Sequence, residues 1–192
     1  ALSYTILRRF LRSALNLPAE CDMLKRVIKM VIRDIKESDA AGCLEIYNYY
    51  IENSTATVEE TSLSAEEFLQ RIRRISEKYP FIAAEENGKI IGYAYLDVYN
   101  QRSAYRYTAD LSIYLSNESV SRGIGGRLLS EIESRAEKMG IRSIISIITG
   151  ENSASLIFHE RHGFIRRGQL KNVGLKFGKE LDVFFYQKEV KA

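Results

Sequence analysis

The sequence predicts a mixed α/β fold, in which one twisted sheet carries helices on both faces. Three observations support this prediction. Residues 81–99 contain two strand-like runs around Asn87-Gly88, a residue pair favoured in the tight turn of a β-hairpin. Helical and extended patterns then alternate along the chain, as they do where helices connect the strands of one sheet. The run 142–149 is almost wholly apolar, which indicates a central strand buried on both faces.

The remaining elements follow from local patterns of apolar residues. Strands are predicted at 27–35, 107–116 and 181–190, with a short extended piece at 55–60. Helices are predicted where apolar residues recur at helical spacing, at 37–54, 64–79, 125–140 and 152–164. Ser64 and Glu67 form a capping box at the start of the second helix, and Gly140 ends the third.

Composition excludes several classes of protein. The chain has 192 residues, 45% of them hydrophobic, which suits one domain with an ordinary core. A net charge of +3 indicates no nucleic-acid partner, and no apolar run is long enough to span a membrane. Cys21 and Cys43 fit neither a disulfide framework nor a metal site, and we expect no metal and a reducing, cytoplasmic location.

The first 22 residues are treated apart from the fold. They contain the Arg-rich run LRRFLRSAL, with no acidic residue before Glu20. Two interpretations stay open: a targeting peptide, or an extension ahead of a natural start at Met23 or Met30. We therefore expect an N-terminal extension over 1–22 and a single domain over 23–192.

A glycine-rich run, SVSRGIGGRLL, lies between a predicted strand and a predicted helix. Unpaired amides at a helix start, the helix dipole and closely approachable glycines together make a cradle for phosphate. A flexible loop that merely caps the helix is the alternative. The run is neither a Walker A loop nor a good Rossmann fingerprint. The candidate cradle residues are Ser121, Arg122, Gly123, Ile124, Gly125, Gly126 and Arg127.

The same run resembles a motif of the GNAT acetyltransferases, VSRGIGGRLL matching Q/R-x-x-G-x-G/A. NSASLIFHERHGF resembles a second GNAT pattern, an Asn that leads a helix ending in Gly-Phe. IYNYYIENSTAT, AYRYT and GLKFGKELDV, in that order, are similar to the phosphinothricin acetyltransferase branch, so the resemblance covers about residues 30–190. Two positions depart from the branch: Val120 replaces a usual Gln or Arg, and Glu180 replaces a bulky aromatic.

The resemblance implies the GNAT fold, acetyl-CoA as donor and two catalytic residues. Asp110 stands where the branch has a glutamate and is expected to accept the proton of the amine. Its alternative role is a strand-end Asp that binds a backbone amide or the substrate ammonium. His159 stands where many GNAT members have a tyrosine, and it can act as acid or base. The alternative is a helix-face histidine satisfied by a neighbour.

Binding residues are likewise implied by the resemblance. Ile113, Tyr114 and Leu115 are expected to offer backbone groups to the pantetheine arm, and Asn152 to contact the cofactor or cap its helix. Arg102 and Tyr105 are candidates for the acceptor, and an arginine suits a carboxylate. Glu52 and Thr55 would line the other side. Lys176 lies in a late loop that approaches a partner subunit in this branch, which implies a homodimer.

The expected activity is transfer of an acetyl group from acetyl-CoA to the amine of a small amino acid or analogue, by direct attack. Phosphinothricin, methionine sulfone and methionine sulfoximine are the model acceptors. Acetylation of a protein N-terminus or another amine is one alternative. A non-catalytic acyl-CoA-binding domain is the other, and the glycine run suits both classes.

Overall fold

A computed structural model describes residues 30–190, which form one seven-stranded sheet with the order β1-β2-β3-β4-β5-β7-β6. The extension 1–22 and the start of the first predicted strand lie outside the described residues. Only β4 and β5 run parallel; every other neighbouring pair is antiparallel. The strands are β1 Val31–Asp34, β2 Phe81–Glu86, β3 Lys89–Val98, β4 Thr108–Leu115, β5 Ser143–Thr149, β6 Ile165–Lys176 and β7 Lys179–Glu189.

Four helices cover the two faces of the sheet: α1 Ala40–Asn53, α2 Ala65–Ser76, α3 Ile124–Lys138 and α4 Ser153–Arg161. On one face, α1 and α2 bury Cys43 and Phe68 against Tyr93 of β3. On the other face, α3 buries Leu128 and Ile132 in a separate apolar core. Each large apolar side chain so buried contributes about 1.5–3 kcal/mol. The predicted mixed fold with helices on both faces is confirmed.

Several local predictions are also confirmed. Asn87 and Gly88 have φ of 53° and 80°, as the tight turn between β2 and β3 requires. The Ser64 hydroxyl accepts a hydrogen bond from the Glu67 amide, and the Glu67 carboxylate accepts one from the Ser64 amide. Gly140 takes φ 75° just after α3. No helix within residues 30–190 is long and apolar enough to cross a membrane.

Two sequence predictions are wrong, and one strand was missed. Residues 55–60 form no strand, because this stretch is part of the irregular loop between α1 and α2. The edge strand β6 was not predicted. Strand β5 is not buried throughout on both faces: Ile144 and Ile148 are in the core, whereas Ile147 on the other face is 50% exposed.

The sheet opens between its two parallel strands. Their ladder consists of three pairs, Thr108–Ser143, Ala109–Ile144 and Asp110–Ile145. Beyond these pairs β4 stays paired with β3 as far as Leu115, and β5 with β7 as far as Thr149. We call the gap between Leu111–Leu115 and Ser146–Thr149 the strand opening.

Candidate active site

Backbone groups of β4 point into the strand opening. The Ser116 amide, just after β4, donates to the Ile91 carbonyl of β3, so the backbone of Ser116 faces β3. The Leu96 amide of β3 donates to the Pro80 carbonyl, so the backbone of Leu96 faces away from β4. Because backbone groups alternate sides along a strand, Leu111, Ile113 and Leu115 direct theirs away from β3. The Leu115 carbonyl is already bonded to the Tyr50 hydroxyl at 2.8 Å.

By the same alternation, Tyr114 uses its backbone groups on β3, opposite Tyr93. Its ring packs edge-on against Tyr47. Three β4 residues were predicted to hold a cofactor. Tyr114 faces β3 and the Leu115 carbonyl is bonded to Tyr50, so Ile113 is the one whose backbone groups face the strand opening without a partner there. Leu111, which was not predicted, shares this orientation.

The glycine-rich run leads directly into α3 beside the strand opening. Gly123 is the residue before the helix and takes φ 75°, and Ser121 takes φ 63°. No side chain caps the helix, so the amides of Ile124, Gly125 and Gly126 are open to a ligand. These amides and the positive end of the helix dipole form a cradle suited to phosphate.

Helix α4 packs closely on this cradle. A Cβ added at Gly125 would lie 3.3 Å from the Phe158 ring, and one at Gly126 would lie 3.1 Å from Nε2 of His162. A side chain at either position would therefore push the Phe158 or His162 ring away by a few tenths of an ångström. Arg122 adds less positive charge to the cradle than expected, because it forms an ion pair with Glu86 at 2.6 Å.

Asp110 sits at the last pair of the β4–β5 ladder. Its Oδ1 is buried and has no hydrogen-bond partner. Burial raises the pKa of this carboxyl to about 7, and the neighbouring Asp97 carboxylate adds to the rise. A carboxyl that is half ionised near neutral pH is suited to accept a proton from an amine.

His159 is buried on the opposite face of the sheet. Its Nδ1 lies 2.8 Å from the Ser155 carbonyl oxygen and so donates its proton there. The ring packs edge-on against Phe164. Burial lowers the pKa of the imidazole, so the ring is neutral at pH 7 with an unprotonated Nε2.

A cavity of about 440 Å³ lies on the same face of the sheet as Asp110. Thr108 is two residues before Asp110 on β4, and Ile145 is opposite Asp110 on β5, so their side chains share that face. Tyr99 and Tyr105 stack edge-on at 5.7 Å beside it. The lining residues on this face include Tyr99, Tyr105, Thr108, Ser143, Ile145, Phe185 and Gln187.

The predicted acceptor residues do not all meet at this cavity. Tyr105 lines it, whereas Arg102 is exposed in the preceding loop. The Glu52 carboxylate accepts a hydrogen bond from Ser62, and Lys176 is 1% exposed, with Nζ donating to the Thr57 carbonyl at 2.8 Å.

The loop between α1 and α2 is fixed to the sheet on the cavity's side. The hydroxyl of Thr149 donates to the Thr55 carbonyl at 2.7 Å, and Lys176 holds Thr57. Thr149 shares the face of Ile145, four residues earlier in β5. Thr55 and Lys176 therefore shape the surroundings of the cavity through the backbone of this loop.

Asn152 caps α4, since its Oδ1 accepts a hydrogen bond from the Ser155 amide at 3.2 Å. This is the second of the two roles considered for it. Its side-chain nitrogen has no hydrogen-bond partner among the described residues. No cluster of three or more His, Cys, Asp or Glu residues in 30–190 could hold a metal ion.

Sequence reasoning missed part of the cavity lining. Tyr99, Ile145, Phe185 and Arg167 were not singled out. A signal existed for Ile145, since it lies in the apolar run 142–149. Arg167 gave none, because its position depends on an irregularity in β6 that only the pairing with β7 reveals.

Comparison with known proteins identifies the family. Residues 32–185 match the model of the acetyltransferase (GNAT) domain. The chain belongs to the GNAT acetyltransferases. Among solved structures, this acetyltransferase is similar to a GNAT-superfamily phosphinothricin acetyltransferase from Sinorhizobium meliloti in complex with acetyl-CoA. The TM-score is 0.81 and the identity 38%, over 84% of this chain and 88% of that one.

Two curated relatives show similar identity. The acetyltransferase is 33% identical over 163 residues to phosphinothricin N-acetyltransferase of Alcaligenes faecalis, covering 84% of this chain and 83% of the relative. It is 34% identical over 158 residues to the L-methionine sulfoximine/L-methionine sulfone acetyltransferase of Pseudomonas aeruginosa, covering 81% and 92%. The predicted family and branch resemblance are thereby confirmed.

Proposed function

We propose that this acetyltransferase moves the acetyl group of acetyl-CoA onto the primary amine of a small amino acid or close analogue. The observation that supports this most is Oδ1 of Asp110, which is buried without a hydrogen-bond partner at the edge of the strand opening, on the same face of the sheet as the cavity. A base at that position can reach an amine in the cavity. The same place is open to a thioester between the strands.

Acetyl-CoA is the acetyl donor, and the chain offers two features that fit it. The amides of Ile124, Gly125 and Gly126 at the start of α3 suit the pyrophosphate. The backbone groups of Ile113, which face the strand opening, suit an amide of the pantetheine arm. Asn152, at the start of α4, is a further contact for that arm through its side-chain nitrogen.

The proposed reaction is a direct attack. Asp110 accepts a proton from the ammonium of the acceptor, which frees the nitrogen lone pair. The nitrogen then bonds to the thioester carbon, the carbon–sulfur bond breaks, and the sulfur leaves with the bonding electrons. An amide and a free thiol result once the thiolate takes up a proton.

We assign His159 a place beside the donor and not the role of proton source. With Nδ1–H held by the Ser155 carbonyl, the neutral ring presents only a lone pair at Nε2. It can accept a hydrogen bond or a proton, but it has no proton at Nε2 to give to the thiolate at neutral pH.

The size of the cavity supports a small acceptor. About 440 Å³ is at the lower end of the 300–1,000 Å³ range of ligand pockets, enough for an amino acid. Relatives 33% and 34% identical are named for phosphinothricin and for methionine sulfoximine and sulfone. These compounds are therefore the first acceptors to test. Protein N-termini, and binding without turnover, are the alternatives.

We further propose a homodimer, a cytoplasmic location and a single catalytic domain over 23–192. Apolar side chains of β6 and its turn support the dimer: Ile165, Leu170, Val173, Leu175 and Phe177 are between 49% and 64% exposed. We call these five residues the hairpin strip. The free thiol of Cys43 is compatible with a reducing compartment.

Thiol release from acetyl-CoA tests the proposed function. Phosphinothricin, methionine sulfone, methionine sulfoximine, the common amino acids and N-terminal peptides would each be offered at saturating acetyl-CoA. We expect turnover with at least one small amino acid and little with peptides. Acetyl-CoA binding without turnover of any amine would contradict the proposal and favour the binding domain.

A further inference from the structure

The acceptor cavity has a charged residue at the side remote from Asp110. Arg167 lines the cavity, and it alone carries a formal charge among the described lining residues. The floor between these ends is apolar, with Ile145 and Phe185. A carboxylate at one end, an apolar middle and a cation at the other end match an acceptor that carries both an amine and an acid.

A bulge in β6 turns Arg167 toward the cavity. Arg166 pairs with Tyr186 and Gly168 with Phe185, so Arg167 is an extra residue with no partner on β7. The Arg166 side chain stacks over the Phe184 ring at 4.0 Å. Phe184 and Gln187 lie on opposite faces of β7, and Arg167 bonds Gln187. The two neighbouring arginines thus serve opposite faces of the sheet.

Two hydrogen bonds hold Arg167 in this orientation. Its Nε donates to Oε1 of Gln187 at 3.1 Å, and Nε2 of Gln187 donates to the Ser143 hydroxyl at 2.8 Å. The second bond fixes which way the glutamine amide points. Gln187 therefore binds only Nε of the Arg167 guanidinium. The two terminal nitrogens of Arg167 are left for another partner.

The guanidinium has no acidic neighbour in the described part of the chain. No Asp or Glu carboxylate within residues 30–190 lies within 4.0 Å of Arg167, whereas Arg122, Arg135 and Arg74 all form such pairs. An arginine fork without a carboxylate is suited to bind an anion through two parallel hydrogen bonds.

Strand pairing separates the two groups that would bind the acceptor. Asp110 on β4 and Gln187 on β7 both pair with Ile145 of β5, so their backbones are two strand spacings, about 10 Å, apart. The amine and the α-carboxylate of an amino acid are attached to the same carbon atom and lie close together. An anion bound by Arg167, which Gln187 holds, is therefore better matched by an acid at the end of the side chain.

We propose that Arg167 is a specificity-determining residue, which binds the anionic end of the acceptor's side chain. It thereby favours amino acids with a terminal carboxylate or phosphinate over those with a neutral side chain. This inference rests on the proposed function, because it concerns the acceptor of the same reaction.

A pair of acceptors and three variants test it. Phosphinothricin has an anionic side chain and methionine sulfone a neutral one. For Arg167→Gln we expect kcat/KM to fall about 10- to 100-fold with phosphinothricin, mainly through KM, and by less than about 3-fold with methionine sulfone. Arg167→Lys should recover part of the loss. Arg166→Gln, the matched control on the opposite face, should change neither acceptor, and KM for acetyl-CoA should stay unchanged throughout.

The outcomes separate this inference from the proposed function. An equal change with both acceptors, or none, would overturn the role of Arg167 while leaving the acetyltransferase activity intact. If the wild-type protein acetylates no amine, the proposed function fails. Calorimetric binding of phosphinothricin to the CoA-bound protein then decides: weaker binding to Arg167→Gln supports the inference, and equal binding overturns it.

Discussion

Asp110 and Ile145 form the last pair of the parallel ladder between β4 and β5. This one pair sets where the sheet stops being continuous. It also places the carboxylate at the boundary, with the strand opening ahead of it and the proposed acceptor cavity on the same face of the sheet. Burial at that position raises the pKa of Asp110 and leaves its Oδ1 without a hydrogen-bond partner.

Replacing Asp110 should change stability in a pH-dependent way. Its folded pKa of about 7 exceeds the unfolded value of about 3.9, so the folded state binds the proton more tightly. Stability from this group is fully present below about pH 4 and is lost as pH rises through 7. Asp110→Asn should therefore unfold with a higher free energy than wild type at pH 8, by at most about 4 kcal/mol, and with no difference near pH 4.

Denaturant titrations at both pH values measure this difference. Asp182→Asn is a control of opposite sign, because hydrogen bonds from the Asn172 amide and the Gln169 side chain lower the pKa of Asp182. That variant should be less stable than wild type at pH 8. A destabilised Asp110→Asn at pH 8 would contradict a pKa of Asp110 that burial raises.

The phosphate cradle is tested with two glycines at opposite ends of α3. Gly123 and Gly140 both have φ 75° and open space where a Cβ would lie, so alanine costs each about 1–2 kcal/mol of stability. Only Gly123 precedes the free amides. Gly123→Ala should weaken acetyl-CoA binding at least about 10-fold, and Gly140→Ala should not, as measured by calorimetry. Equal dissociation constants for the two variants would place the pyrophosphate elsewhere.

Lys176 should act on the acceptor through the loop between α1 and α2. Lys176→Met removes the bond to the Thr57 carbonyl and should cost about 1–3 kcal/mol of stability. We expect KM for the acceptor to rise and the dissociation constant of acetyl-CoA to stay the same. Lys179→Met is the control, since Lys179 is exposed and contacts Glu151 at 3.4 Å. A change in acetyl-CoA affinity alone would refute this role.

The hairpin strip should hold the proposed dimer together. Leu175 is 64% exposed, and Leu175→Glu places a charge in that surface. Light scattering after gel filtration should show a dimer for wild type and a monomer for the variant. Met139→Glu, at a 45% exposed position after α3, should remain dimeric. A wild-type monomer, or a dimer insensitive to Leu175→Glu, would rule out this interface.

Much of the fold could be predicted from local patterns, because the signals were local. The Asn87-Gly88 turn, the Ser64–Glu67 capping box and the glycines that follow helices act within a few residues. Strand β6 lacked such a signal: residues 165–176 mix charged residues and two glycines, Asn172 takes φ 54°, and most of its side chains are exposed. An edge strand with two register shifts shows no clean alternation.

Some residues of the candidate site could likewise be predicted from the sequence, and others could not. The glycine run, Asp110 and His159 could be found from residue type and resemblance. The bonds from Thr149 to Thr55 and from Lys176 to Thr57 join residues about a hundred positions apart, so no sequence window contains them. The protonation of His159 likewise depends on the Ser155 carbonyl and on burial, which become apparent only once α4 is packed.

The pH dependence of acceptor-dependent thiol release, for wild type and Asp110→Asn, tests the central claim most directly. We expect the wild-type kcat/KM with phosphinothricin or methionine sulfone to rise with a midpoint near pH 7. Asp110→Asn should lose that rise and fall at least about 100-fold, with acetyl-CoA affinity retained. A variant that keeps the wild-type rate and the same midpoint would show that Asp110 is not the base.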